Sequence, residues 1–139
     1  MANATAQQSA QSAYISTYQD VLIALAQDRE LTELMRRGLI GGLEALDGNE
    51  QTRFHFLGYS EYMRAQNMFR QLLSNHFDPL LAQPLIAFFA QICKAKGGSE
   101  WWGSIKGNAD PDFVAHIDSL LANPQLLQLQ SAQPWYVRQ

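Results

Sequence analysis

Residues 47–76, DGNEQTRFHFLGYSEYMRAQNMFRQLLSNH, decide the fold. Asp47 and Glu50 have the spacing of a capping box, in which the Asp side chain accepts from the third residue's amide and the Glu reaches back. No proline follows as far as His76, and Gly58 is the only glycine beyond the box. At about 100° per residue, Phe54, Leu57, Tyr62, Ala65, Met68, Phe69, Leu72 and Leu73 fill one broad arc. Arg53, Ser60, Arg64, Asn67, Arg70, Gln71 and Ser74 fill the opposite one. The spacing predicts a long helix, and an apolar arc this wide predicts a central one, touched from two sides.

Toward the N-terminus, Tyr14, Tyr18, Val21, Leu22 and Leu25 form one stripe at helical spacing and predict a helix over residues 10–27. Leu31, Leu34 and Met35 predict a short second helix, with Arg36 and Arg37 near its C-terminal end where positive charge suits the dipole. Gly38, Gly41 and Gly42 predict a break or bend there. Toward the C-terminus, Asp78-Pro79 reads as a cap with proline at the first helical position. A very apolar helix over 80–94 follows, with Pro84 in its first turns and a stop signal at Gly97-Gly98. Glu100, Trp101 and Trp102 open a short element closed by Gly107-Asn108. Asp110-Pro111 caps the last helix, which Asn123-Pro124 ends.

No stretch alternates as a strand does, and no internal repeat is visible. The fold class is all-α: a compact bundle of about five to six helices with a long central helix. The domain reading is a flexible N-terminus over 1–12, a helical domain over 13–123 and an extended C-terminal tail over 124–139. At 139 residues the chain has the size of one domain, and about two-thirds of its unfolded surface can be buried without metal or disulfide staples. With 47% hydrophobic and 17% charged residues it is too apolar for general disorder. A net charge of −3 argues against a general nucleic-acid binder. The first twelve residues carry no Lys or Arg, which speaks against a secretory signal. The longest apolar run, residues 21–26, is far shorter than a bilayer span of about 20 residues. A single cysteine, Cys93, excludes an intrachain disulfide and suits a reducing cytoplasm.

Four pieces resemble a group of uncharacterised bacterial helical proteins over about residues 29–121: ELMRRGL, RFHFLGYSEYMRAQNMFRQ, the WW pair and DPDFVAHIDSLL. The resemblance implies a helical fold and supplies no activity. Members of that group often carry a membrane-spanning helix ahead of this region. This chain departs from them, because Thr17, Gln19 and Asp20 interrupt its first helix.

Glu61 stands out among residues that carry chemistry. On the wheel it lies between Phe54 and Met68, inside the apolar arc, where a lone carboxylate costs several kcal/mol. Arg64 is one turn away, and Arg36 or Arg37 are further candidate partners. A structural ion pair locking helix register outweighs a perturbed acid in a pocket. His55, His76 and His116 show no metal-ligand spacing, so no metal or cofactor is expected. Cys93 sits in the most apolar helix and reads as core rather than nucleophile. Arg36, Arg37, Arg53, Arg64 and Arg70 form a basic cluster diluted by Glu33, Glu44, Glu50 and Glu61, which reads as a salt-bridged face rather than an anion site.

Trp101 and Trp102 diverge by about 100° on a helix, which predicts that one plugs the core while the other stays more exposed. Trp135 and Tyr136 give the tail the character of a docking peptide for its own body or another subunit. The candidate binding residues are therefore Glu61, Arg64, Trp101, Trp102, Trp135 and Tyr136. The functional expectation is a non-enzymatic protein acting by association, most simply with copies of itself, because its apolar faces exceed what a thin bundle covers. The alternatives are a ligand-binding or enzymatic bundle around Glu61 and Arg64, and a peripheral membrane protein held by the first helix.

Overall fold

Aspartates set most of the helix starts. The computed structural model describes residues 2–123 and residue 125. Among these are six α-helices: Ala2–Gln27 (α1), Arg29–Gly41 (α2), Gly48–Leu73 (α3), Pro79–Lys94 (α4), Lys96–Ile105 (α5) and Pro111–Ala122 (α6). Short 3-10 turns lie at Leu43–Ala45 and Lys106–Asn108. Asp28 accepts from the Leu31 amide at 3.0 Å, Asp47 from Glu50 at 2.8 Å, Asp78 from Leu80 at 2.9 Å and Asp110 from Asp112 at 3.0 Å. Each satisfies an amide that the helix itself leaves without a partner. The capping box at Asp47 and Glu50 is complete, and the proline after Asp78 and after Asp110 opens its helix as the sequence predicts.

The fold is an all-α bundle with α3 running through it against α2, α4 and α5. Two boundaries depart from expectation. Helix α1 starts at Ala2 rather than near residue 10. Its first turns contain four alanines and no glycine or proline, and alanine is the best helix former. The break predicted over Gly38, Gly41 and Gly42 is present: α2 runs on through Gly38 and ends at Gly42, whose φ is 85°. Gly97 and Gly98 do not stop α4; they lie in the first turn of α5. Packing explains this. A Cβ on Gly97 would stand 1.9 Å from the Gly38 carbonyl oxygen, and one on Gly98 would stand 1.7 Å from that of Ile92. Glycine here lets α5 enter between its neighbours.

The core is built from Leu34 and Leu39 of α2, Phe54, Ala65 and Met68 of α3, Ile86 and Phe89 of α4, and Phe113 and Ile117 of α6. Both tryptophans of α5 fill its middle. Helix α1 lies outside this core. None of its described side chains is fully buried, and Ile15 packs partly against the core. Gln11 accepts from the Asp78 amide at 2.7 Å, and Thr32 donates to the Leu25 carbonyl at 2.6 Å. No helix among the described residues is long and apolar enough to cross a membrane.

Candidate functional site

Glu61 is buried at 5% exposure, as its wheel position predicts. Arg64 answers it from the next turn of α3, with Nη1 donating to Oε1 at 3.0 Å. The pair is well shielded, the Glu61 side chain being 6% exposed and that of Arg64 20%. A carboxylate held this way is neutralised and oriented, which suits a register lock on α3.

The tryptophans converge on the same stretch of α3. Trp101 lies against Gly58, where an added Cβ would meet its ring at 2.9 Å. Its Nε1 donates to His55 Nδ1 at 3.0 Å, which leaves His55 Nε2 to carry the ring proton. Trp102 packs on Tyr62, Phe89 and Phe113 at centroid separations of 5.8, 5.4 and 6.1 Å. The expected difference in burial does not occur, since both side chains are 3% exposed. Helix α5 is only ten residues long and meets α2, α3 and α4. Covered on more than one side, it has a buried place for each of two directions 100° apart. Chemistry separates the two instead. Trp101 has a partner for its N–H, while Trp102 Nε1 meets no acceptor among the described residues.

Gln66 was not legible in the sequence. Its Oε1 accepts from the Tyr62 hydroxyl at 2.8 Å and from the Asp110 amide at 3.1 Å, tying α3 to the start of α6. Arg70 pairs with Asp110 at the same corner and with Asp112 at 3.8 Å. Burial, with Tyr59 beside it, raises the Tyr62 phenol above its ordinary value. Of the five clustered arginines, four face carboxylates: Arg37 meets Glu50, Arg53 meets Glu30, Arg64 meets Glu61 and Arg70 meets Asp110. The Arg37 guanidinium and the Asp47 amide hold Glu50 down at about 2.

Cys93 is buried, and that burial pushes its thiol far above the ordinary range, so it carries no thiolate at neutral pH. His116 packs on Phe69 at a centroid separation of 5.1 Å, and burial lowers its pKa. Among the described residues no group of three or more His, Cys, Asp or Glu stands together to hold a metal ion. Trp135 and Tyr136 lie outside the described residues.

The outward face of α3 holds what the sequence reading overlooked. Phe56, Tyr59 and Met63 are 67, 42 and 57% exposed. They follow one another at spacings of three and four, so they form one strip along the helix. Thr52 and Asn67 continue the strip, and no charged residue belongs to it. The spacing was readable; the wide apolar arc on the other face masked it. Comparison of the chain with protein-family models, curated proteins and solved structures finds no match.

Proposed function

We propose that this protein acts by association through its helical surface rather than by catalysis, and that its partner is a second copy of itself. The uncharged strip of Phe56, Tyr59 and Met63 carries this reading. Contiguous exposed apolar side chains of this kind mark interfaces more often than isolated ones do. A two-fold contact needs a surface that complements itself, and the strip has that property. With two α3 helices laid antiparallel, Phe56 of one copy meets Met63 of the other and Tyr59 sits near the axis. Thr52 then faces Asn67, so no like charges are opposed. Thioether–aromatic contact between Met63 and Phe56 adds about 0.3–1.5 kcal/mol per pair. The shielded Glu61–Arg64 pair supports the same reading, because its side chains are occupied with one another inside the bundle.

Light scattering at micromolar concentration and about 0.15 M salt tests this. The expected mass is twice 15.6 kDa, falling on dilution. Phe56→Ser combined with Met63→Lys is expected to give the monomer mass with unchanged helicity. A wild-type mass that stays monomeric at every concentration overturns the reading.

A further inference from the structure

A groove of about 270 Å³ runs between the first half of α4 and the second half of α6. Leu80, Pro84 and Ala87 line one side, and His116 and Leu120 the other. Leu80 is 82% exposed, the most exposed of the large hydrophobic side chains among the described residues. Among the described residues the lining contains no lysine, arginine or acid, and burial keeps the His116 imidazole toward its neutral form.

The chain leaves α6 at the rim of this groove. Helix α6 ends at Ala122, two residues beyond Leu120, and Pro124 prevents its continuation. The next residues are Gln125, Leu126, Leu127, Gln128 and Leu129: three leucines in four positions. Residues 124–139 hold one charged side chain, Arg138. Leu126 is six residues from Leu120, a reach of at most about 20 Å at roughly 3.3–3.6 Å per residue. Neighbouring helix axes lie only about 8–10 Å apart. A leucine-rich, uncharged segment thus begins within reach of a groove whose described lining is mainly apolar, with Gln83 and His116 its polar members.

We propose that the α4–α6 groove is a docking site for this chain's own residues 126–129, whose leucines cover Leu80, Pro84 and Ala87. The contact is intramolecular. The short connection from Asn123 gives the segment a local concentration in the millimolar range, which a second chain at micromolar concentration does not match. It is also independent of the α3 strip, and therefore of whether the protein self-associates.

A double-cysteine variant of the full chain tests it: Ala87→Cys with Leu127→Cys in a Cys93→Ala background. Under mild oxidation the expected product is a disulfide-closed species at the monomer mass. A disulfide-linked dimer overturns the proposal, since the tail then fills a neighbour's groove, and so does the absence of any link. A second measurement needs only one substitution. Chymotrypsin is expected to cleave Ala87→Glu after Leu126, Leu127 or Leu129 about tenfold faster than the unmodified chain, following the population of the undocked tail. Equal rates in two proteins of equal helicity overturn the proposal. Because mass by light scattering reads the α3 contact and closure at monomer mass reads the groove, failure of one is distinguishable from failure of the other.

Discussion

The two faces of α3 are made of similar residues and have opposite fates. On the inner face, Phe54, Tyr62, Ala65, Met68 and Phe69 are buried. On the outer face, Phe56, Tyr59 and Met63 stand in solvent. Hydrophobicity does not separate them: a phenylalanine, a tyrosine and a methionine occur on each. The difference is what lies opposite. Gly58 on the inner face admits the Trp101 ring, and Gly97 and Gly98 admit the backbone that carries it. The outer face has an open Gly48 with nothing within 4 Å of a Cβ, and its strip of Phe56, Tyr59 and Met63 stays exposed. Apolar composition supplies the driving force for burial, and close approach of a neighbouring helix decides which residues receive it.

The largest effect is expected where that approach is tightest. Alanine at Gly98 would place a methyl 1.7 Å from the Ile92 carbonyl oxygen, and at Gly97 one 1.9 Å from that of Gly38. Backbone cannot yield as a flexible side chain does, so each substitution is expected to cost more than about 4 kcal/mol or to prevent folding. Gly103 lies in the same helix with nothing within 4 Å of a Cβ. There alanine is expected to be neutral or to stabilise by up to about 1 kcal/mol. Denaturant melts of the three variants measure the contrast. Similar melts for all three would mean that α5 is not wedged between α2 and the end of α4.

Next come the tryptophans. With both at 3% exposure, Trp101→Ala and Trp102→Ala are each expected to cost about 3–5 kcal/mol. Replacement by phenylalanine should separate them. Trp101→Phe removes the hydrogen bond to His55, worth about 1 kcal/mol. Trp102→Phe removes an N–H that has no acceptor among the described residues, which offsets part of the lost volume. Trp101→Phe is therefore the more costly of the two in equilibrium unfolding, and the reverse order would contradict the assigned partners.

Capping boxes and aspartate–proline pairs are local signals, and they placed the starts of α3, α4 and α6 directly. Glu61 and Arg64 were legible for a similar reason, because three residues along one helix fix their proximity before any tertiary structure exists. What was not legible depends on segments far apart in sequence. Gly97-Gly98 has the composition of a stop and the function of an entry, since its meaning comes from Gly38 and Ile92. The equal burial of Trp101 and Trp102 comes from helices on several sides of α5. Gln66 joins Tyr62 to Asp110 across 44 positions of chain, and nothing in the spacing announces it. The outer strip is a different case: its period was visible, but one helix with apolar residues on two faces does not say which face is covered.

Glu61→Leu probes the inner face electrostatically. The substitution takes from Arg64 the carboxylate at 3.0 Å, while the arginine side chain stays four-fifths shielded. A cost of about 3 kcal/mol is expected. Adding Arg64→Met should recover much of it, because apolar replacement of both members of a buried pair is often close to neutral. A double-mutant cycle reads the coupling. A stabilised Glu61→Leu single variant would instead identify a strained acid, and the search for a ligand would then move to Glu61.

The smallest expected effect on stability falls on the outer face. Phe56→Ser and Met63→Ser remove side chains that are 67 and 57% exposed, so the folded monomer loses little buried area. Each is expected to shift the unfolding free energy of the monomer by no more than about 0.5 kcal/mol. Measured at low protein concentration, where dimer contributes nothing, their melts should overlay the wild type. At high concentration only the wild type should gain stability, because a partner that binds the folded state alone raises it by mass action. Equal, concentration-independent melts would leave the two faces of α3 differing in burial but not in role. A large loss at low concentration would place the strip within the monomer's own packing, against α1 or the residues beyond Asn123, and would remove the surface on which the proposed self-association rests.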